Sequence, residues 1–300
     1  HNAKHGIFFC SSKYIFIDDS TFESNSVSIG SFFFLDNFWP SSMVIKDETQ
    51  EITFQLFNVV FKRNSMEKGA VITYSGGSFG VNLLIDKIVV DALGKSVSQF
   101  ILIDDPKAIR VRIINSRFAF RFMLYSGTDV KRTHSIFSFK NLYFASSNMS
   151  IPITVDNCTF QFRVSSSADV LPKFQITNSD QNSSNSLIKF TNCNFSSTYS
   201  KGQQDSTGLQ FELVGSKLLM ENCTFTDLIL ATYDMFHLTN SSLTIMNSTF
   251  TKSYFGSAGG IINSAGSNVT LEGVLASENH FEMPAIFIVA QNLAITTKVN

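Results

Sequence analysis

The feature that most constrains this chain is a short signature that keeps returning. It reads Val155-Asp156-Asn157-Cys158-Thr159-Phe160, then Phe190-Thr191-Asn192-Cys193-Asn194-Phe195, then Met220-Glu221-Asn222-Cys223-Thr224-Phe225 and Ile245-Met246-Asn247-Ser248-Thr249-Phe250. Ile113-Ile114-Asn115-Ser116-Arg117-Phe118 belongs with them. Weaker copies end at Phe22, Phe61 and Phe144, and diverged ones at Val90 and Leu275. The ten end positions are spaced by about 28 residues on average, inside the range of about 20–50 residues that marks stacked repeats. The step from Phe144 to Phe160 is too short for a full repeat, so one of those two copies belongs to a different strand.

A second element recurs between the copies. It is a short apolar strand, often opened by glycine, as in Gly69-Ala70-Val71-Ile72, Gly208-Leu209-Gln210-Phe211 and Gly259-Gly260-Ile261-Ile262. Strand, corner, strand and polar loop repeated in this order cannot bury an inner face alone. Stacked coils bury it, and each strand then pairs with its equivalent above and below at about 4.8 Å. The repeat therefore predicts an all-β chain, a right-handed single-stranded parallel β-helix of about 9–10 coils. It also predicts a structural ladder, with Phe118, Phe160, Phe195, Phe225 and Phe250 in one interior column and Cys158, Cys193 and Cys223 in the small space inside the corner. Asn suits the turn because it tolerates left-handed backbone and bonds its own chain. A β-propeller blade needs about 40–45 residues, and a β-sandwich does not explain a repeated corner.

Composition agrees. There are 31 Phe against one Trp and five Pro, and 44% of residues are hydrophobic, enough for one large core. Phe and Ile favour strands while Asn and Ser favour turns. Residues 1–300 read as a single domain. The opening His1-Asn2-Ala3 and the strand-like end read as a segment of a longer chain, so membrane attachment would come only through segments outside it. The net charge of −1 and the lack of a basic patch argue against nucleic acid.

The repeat resembles the polymorphic membrane protein repeats of chlamydial surface proteins, which pair Phe-x-x-Asn with Gly-Gly-Ala-Ile. The matching stretches are Phe22-Glu23-Ser24-Asn25, Phe61-Lys62-Arg63-Asn64 with Gly69-Ala70-Val71-Ile72, and Phe250 followed by Gly259-Gly260-Ile261-Ile262. Leu275-Ala276-Ser277-Glu278-Asn279 resembles the same place with the aromatic lost. In four copies the Asn position holds Arg163, Thr198, Leu228 and Ser253. Similar repeats occur in large surface proteins of some protists. The resemblance implies a pectin-lyase-like β-helix and a surface role.

Candidate chemistry is sparse. Asn-x-Ser/Thr triplets stand at Asn148, Asn157, Asn182, Asn194, Asn222, Asn240, Asn247 and Asn268, the acceptors of N-glycosylation on a secretory route. Asn182, Asn240 and Asn268 read as polar-loop positions, better acceptors than the corner residues Asn157 and Asn222. The cysteines read as free thiols. The acidic pairs Asp18-Asp19 and Asp104-Asp105 fall coils apart and read as solvated. His134, His237 and His280 read as isolated surface residues, with His237 pointing outward between Phe236 and Leu238. Gly76-Gly77-Ser78-Phe79-Gly80 lacks the Lys-Ser/Thr of a phosphate loop. No catalytic, metal or cofactor site is expected.

The chain thus reads as a non-enzymatic structural or adhesive segment of an extracellular or cell-surface glycoprotein. Its expected partners are other proteins of a surface assembly, with glycans as a second class. Two alternatives stand beside this: a carbohydrate-binding or carbohydrate-processing β-helix, and a scaffold within a large assembly.

Overall fold

A computed structural model of the chain describes residues 2–3, 6–10, 14–35, 51–75, 80–91, 99–104, 106, 108–122, 134–142, 153–164, 172–178, 187–197, 209–230, 234–256, 260–282, 288–291 and 294–298. Every strand pairing among them is parallel, and each strand pairs with the equivalent strand one coil away. The result is a parallel β-helix with three principal faces.

The first sheet has ten strands, running from Gly6–Cys10 through Ile72–Ser75, Pro172–Thr177 and Phe236–Thr239 to Ile288–Gln291. The second also has ten, from Tyr14–Asp18 through Ile153–Asp156 and Leu187–Thr191 to Ala294–Lys298. The third has nine, from Thr21–Glu23 through Thr159–Val164 and Asn194–Ser197 to Leu275–Ser277. The Gly-opened apolar strands of the sequence form the first sheet. The signature spans the end of a second-sheet strand, a corner, and the start of a third-sheet strand.

The core follows from alternation. Along Pro172–Thr177 and Leu187–Thr191 every second residue is buried. The inward residues stack in register: Phe118, Phe160, Phe195, Phe225 and Phe250 lie on consecutive coils. Their rings are nearly parallel, with centroids 4.9, 5.1, 4.9 and 4.6 Å apart. Phe174, Phe211 and Phe236 form a second stacked column on the first sheet. The two columns meet edge to face, as at Phe160 and Phe174, where the rings are 5.3 Å apart at 89°. Offset and edge-on contacts satisfy the ring quadrupoles, adding about 0.5–1.5 kcal/mol per pair beyond burial.

Two copies of the signature take different places from those expected. Asn141 sits at the corner after the first-sheet strand His134–Lys140, not after a second-sheet strand. That copy belongs to another strand, which accounts for the short step to Phe160; Phe144 itself lies outside the described residues. At the last coil, Ala276 and not Leu275 pairs with Phe250. Leu275 is on the outward column and 58% exposed. Gly273 takes the Asn position there, and alignment on the corner, not on the nearest apolar residue, gives the true register.

The Phe-x-x-Asn stretches mark a further corner. After Phe22 and Phe61 the chain turns again, with Ser24 at φ 55° and Arg63 at φ 52°. In the middle coils Phe118-Ala119-Phe120 and Phe160-Gln161-Phe162 continue the alternation instead, and the third-sheet strand runs straight for six residues. The loss of Asn at Arg163 is therefore a loss of the turn. Asp227 and Lys252 keep it without the Asn, at φ 56° and 52°.

Candidate functional site

Corners carry most of the residues singled out as candidates for chemistry. Between the second and third sheets the turning residues are Asp19, Asn58, Lys87, Asn115, Asn157, Asn192, Asn222, Asn247 and Gly273, with φ between 45° and 61°. An L-residue is strained by about 1–2 kcal/mol there, least for Asn, Asp and Gly. The turn's own amide donates to the next coil, as Asn157 N does to Thr191 O at 3.0 Å. The residue two on donates to the coil before, as Asn194 N does to Cys158 O at 2.9 Å. Backbone pairing thus continues around the bend.

The corner side chains make a second ladder outside. Asn58, Asn115 and Asn192 each donate Nδ2 to the strand-end aspartate of the preceding coil: Asp18, Asp86 and Asp156, at 3.3, 3.0 and 3.1 Å. Asn141 does the same to Asp104 at 2.8 Å, at the corner between the first and second sheets. Asn157 donates to Asn115 Oδ1 at 2.8 Å. Asp18 and Asp104 are therefore acceptors in the ladder, not merely solvated acids; Asp105 lies outside the described residues.

Inside the corner sits the small column. Cys158, Cys193 and Cys223 are buried free thiols. Each sulfur donates to the carbonyl two residues back and to a strand carbonyl of the previous coil, as Cys193 does to Thr191 O and Val155 O at 3.2 and 3.5 Å. Burial pushes the Cys193 thiol well above the ordinary thiol range. Ser116 and Ser248 fill the same column, and each hydroxyl also accepts an amide from the preceding coil, Ile88 N and Cys223 N. The side chain of Cys10 lies outside the described residues.

The triplet asparagines Asn157, Asn194, Asn222, Asn240, Asn247 and Asn268 are all exposed. Asn240 is a corner residue at φ 47°, and Asn268 opens the second-sheet strand Asn268–Glu272, so neither is in a loop. Asn148 and Asn182 lie outside the described residues.

The histidines have partners that sequence distance hid. His280 stacks on Tyr254 at 5.2 Å, and the Tyr254 hydroxyl donates to Glu282, whose carboxylate raises the phenol's pKa. His237 points outward on the first sheet, 3.9 Å from Asp234, and that neighbouring carboxylate raises the imidazole's pKa. Asp234 also takes Gly260 N at 3.1 Å and Asn263 Nδ2 at 2.8 Å, pinning the next coil. Gln175, Glu212, His237 and Asn263 occupy one outward row on four consecutive coils, beside the Lys173–Glu212 pair at 3.1 Å. Each of the four follows an inward residue, Phe174, Phe211, Phe236 or Ile262, but only the pairing of the strands brings them into one row. The side chain of His134 and residues 76–79 lie outside the described residues.

Among the described residues no group of three or more His, Cys, Asp or Glu side chains is placed to hold a metal ion. What the arrangement offers is a regular prism with hydrogen-bonded edges and one outward polar row. Comparison with protein-family models, with curated proteins and with solved structures gave no match.

Proposed function

We propose that this β-helix is a structural and adhesive segment of an extracellular or cell-surface protein, acting through its outer faces and not through a reaction. The observation that supports this reading is the use of the corner residues. The Asn, Asp, Ser and Cys side chains that recur with the repeat are engaged in coil-to-coil hydrogen bonds, so their recurrence is explained by stacking. Long parallel faces of fixed spacing remain for contacts with proteins of a surface assembly.

Labelling of intact source cells with a membrane-impermeant amine reagent, followed by detection of the chain, tests this. Labelling of exposed lysines such as Lys62 and Lys252 is expected. A chain labelled only after lysis overturns the surface placement.

One observation favours a second reading. The outward row Gln175, Glu212, His237 and Asn263 presents donors and acceptors at the coil spacing, as a linear polysaccharide site would. Cleavage of a polysaccharide, lost in Glu212→Gln or His237→Gln, would replace the non-enzymatic reading with this one.

A further inference from the structure

Of the eight Asn-x-Ser/Thr triplets, the six whose asparagine is among the described residues are not spread around the coil. In chain order each falls between the end of a first-sheet strand and the start of a third-sheet strand. Asn157, Asn222 and Asn247 are at the second corner, and Asn194 opens the strand after it. Asn240 is at the first corner and Asn268 opens the strand that follows.

The other half of the coil is different. The stretches 92–98, 123–133, 165–171, 198–208, 231–233 and 257–259, which lead from the third sheet back to the first, contain no Asn, although several are rich in Ser and Thr. Asn25, Asn64 and Asn279 do lie after third-sheet strands, but Val27, Met66 and Phe281 stand two residues on, so none is an acceptor triplet. Instead Asn64 and Asn279 bind the preceding coil: Asn64 Nδ2 to Phe22 O at 2.7 Å, and Asn279 Nδ2 to Phe250 O at 2.8 Å. Asn263, on the first sheet, is followed by Ser264-Ala265 and is likewise no acceptor.

We propose that the chain is N-glycosylated at its described triplets, Asn157, Asn194, Asn222, Asn240, Asn247 and Asn268, along this one side on the two edges of the second sheet, while the first sheet stays bare. The proposal rests on the surface reading above. In the transfer, a lipid-pyrophosphate-linked oligosaccharide gives up its anomeric carbon to Asn Nδ2. The C–N bond forms, the anomeric C–O bond breaks, one amide proton leaves, and the lipid pyrophosphate departs. The folded corner accommodates the product. All six described acceptors are exposed, and Asn157, bonded through Nδ2 to Asn115 at 2.8 Å, needs only one of its two amide hydrogens for that bond.

The test is secretion of the chain from a eukaryotic cell, then enzymatic release of N-glycans in heavy-oxygen water with peptide mapping. Label-bearing Asn-to-Asp conversion is expected at Asn240 and Asn268 and at one or more of Asn157, Asn194, Asn222 and Asn247. Two variants serve as internal controls. Gln175→Asn makes Asn-Ile-Thr, and His237→Asn makes Asn-Leu-Thr, on the outer face of the first sheet. Each is expected to gain one further glycan. A secreted chain in which no natural triplet is converted overturns the proposal, most directly if Gln175→Asn or His237→Asn is converted in the same cells. That outcome leaves the surface reading standing, because the surface reading fails on labelling of source cells and not on glycan content.

Discussion

Asn192 donates its side-chain amide to the carboxylate of Asp156, one coil earlier, at 3.1 Å. The contact holds the turning residue of one corner, at φ 54°, against the strand end of the corner beneath it. Asp156 lies immediately before its own turning residue, Asn157, so one edge of the prism is tied coil to coil through side chains as well as backbone. Asn192→Gly keeps the left-handed backbone and loses this bond together with the longer one that Asn192 Oδ1 accepts from Asn222 Nδ2 at 3.4 Å. Asn192→Ala loses both bonds and adds strain. We expect Asn192→Gly to cost about 0.5–1.5 kcal/mol and Asn192→Ala about 1–2 kcal/mol more, read from urea denaturation midpoints.

The stacked phenylalanines set a larger scale. Phe195 is fully buried between Phe160 and Phe225, with ring centroids 5.1 and 4.9 Å away. Phe195→Ala is expected to destabilise the chain by about 3–5 kcal/mol, because neighbouring coils cannot collapse into the gap. Phe195→Leu, which keeps most of the volume, is expected to recover most of that loss. Denaturant midpoints and the near-ultraviolet dichroism of the aromatic column measure both.

Two glycines separate conformational strain from steric exclusion. At Gly69, φ is +123° and a Cβ would fall 1.7 Å from Gly30 O, a backbone atom of the coil before. At Gly215, φ is +61° but the nearest atom to a Cβ is 3.5 Å away. Gly215→Ala is expected to lower stability by about 1–2 kcal/mol through backbone strain alone. Gly69→Ala must separate two coils and is expected to give little or no soluble protein. Equal stability of the two variants would refute the close approach of Gly30 and Gly69.

Asp234 raises the pKa of His237 above its ordinary 6.5. The folded state therefore binds the proton more tightly than the unfolded chain. The stabilisation is fully present below about pH 6.5, and it is lost as pH rises through the raised folded value. His237 is nearly half exposed, so solvent screening keeps the effect small, under about 1 kcal/mol. Denaturation midpoints from about pH 5 to 9 are expected to fall slightly with pH, and His237→Gln should remove that slope.

Cys158, Cys193 and Cys223 are buried, and Cys193 is held as a thiol by its surroundings. A thiol-reactive dye is expected to leave all three unmodified in the native chain and to modify all three in denaturant. Cys193→Ser is expected to be tolerated, since Ser116 and Ser248 fill the same column and donate to the carbonyl two residues back. Native-state modification of any of the three would show that the corner opens.

The parallel β-helix was legible because the signature ties an aromatic strand residue, a small residue and a turning residue at fixed spacing. In-register stacking is the arrangement that buries all copies at once. Local sequence also shows why Asn157 turns and Phe160 points inward: left-handed tolerance and alternation are properties of single residues and near neighbours. The register of the diverged copies was not legible. Leu275 is the apolar residue nearest the expected place, yet the corner at Gly273 puts Ala276 there. Nor could the sequence place Asn141 at a different corner from Asn157, because both turns use the same chemistry and only the sheet identity of the preceding strand separates them.

What the sequence by itself determined is the coil: its length, its corner chemistry, and which residues face inward. What only the tertiary structure decided is which residues of different coils meet. Gln175, Glu212, His237 and Asn263 are about 25–37 residues apart in the chain and adjacent on the first sheet, and Asp234 reaches Asn263 across 29 residues. Loops of unequal length separate the coils, so a fixed sequence period cannot predict these meetings. Backbone pairing between strands sets them, one coil at a time.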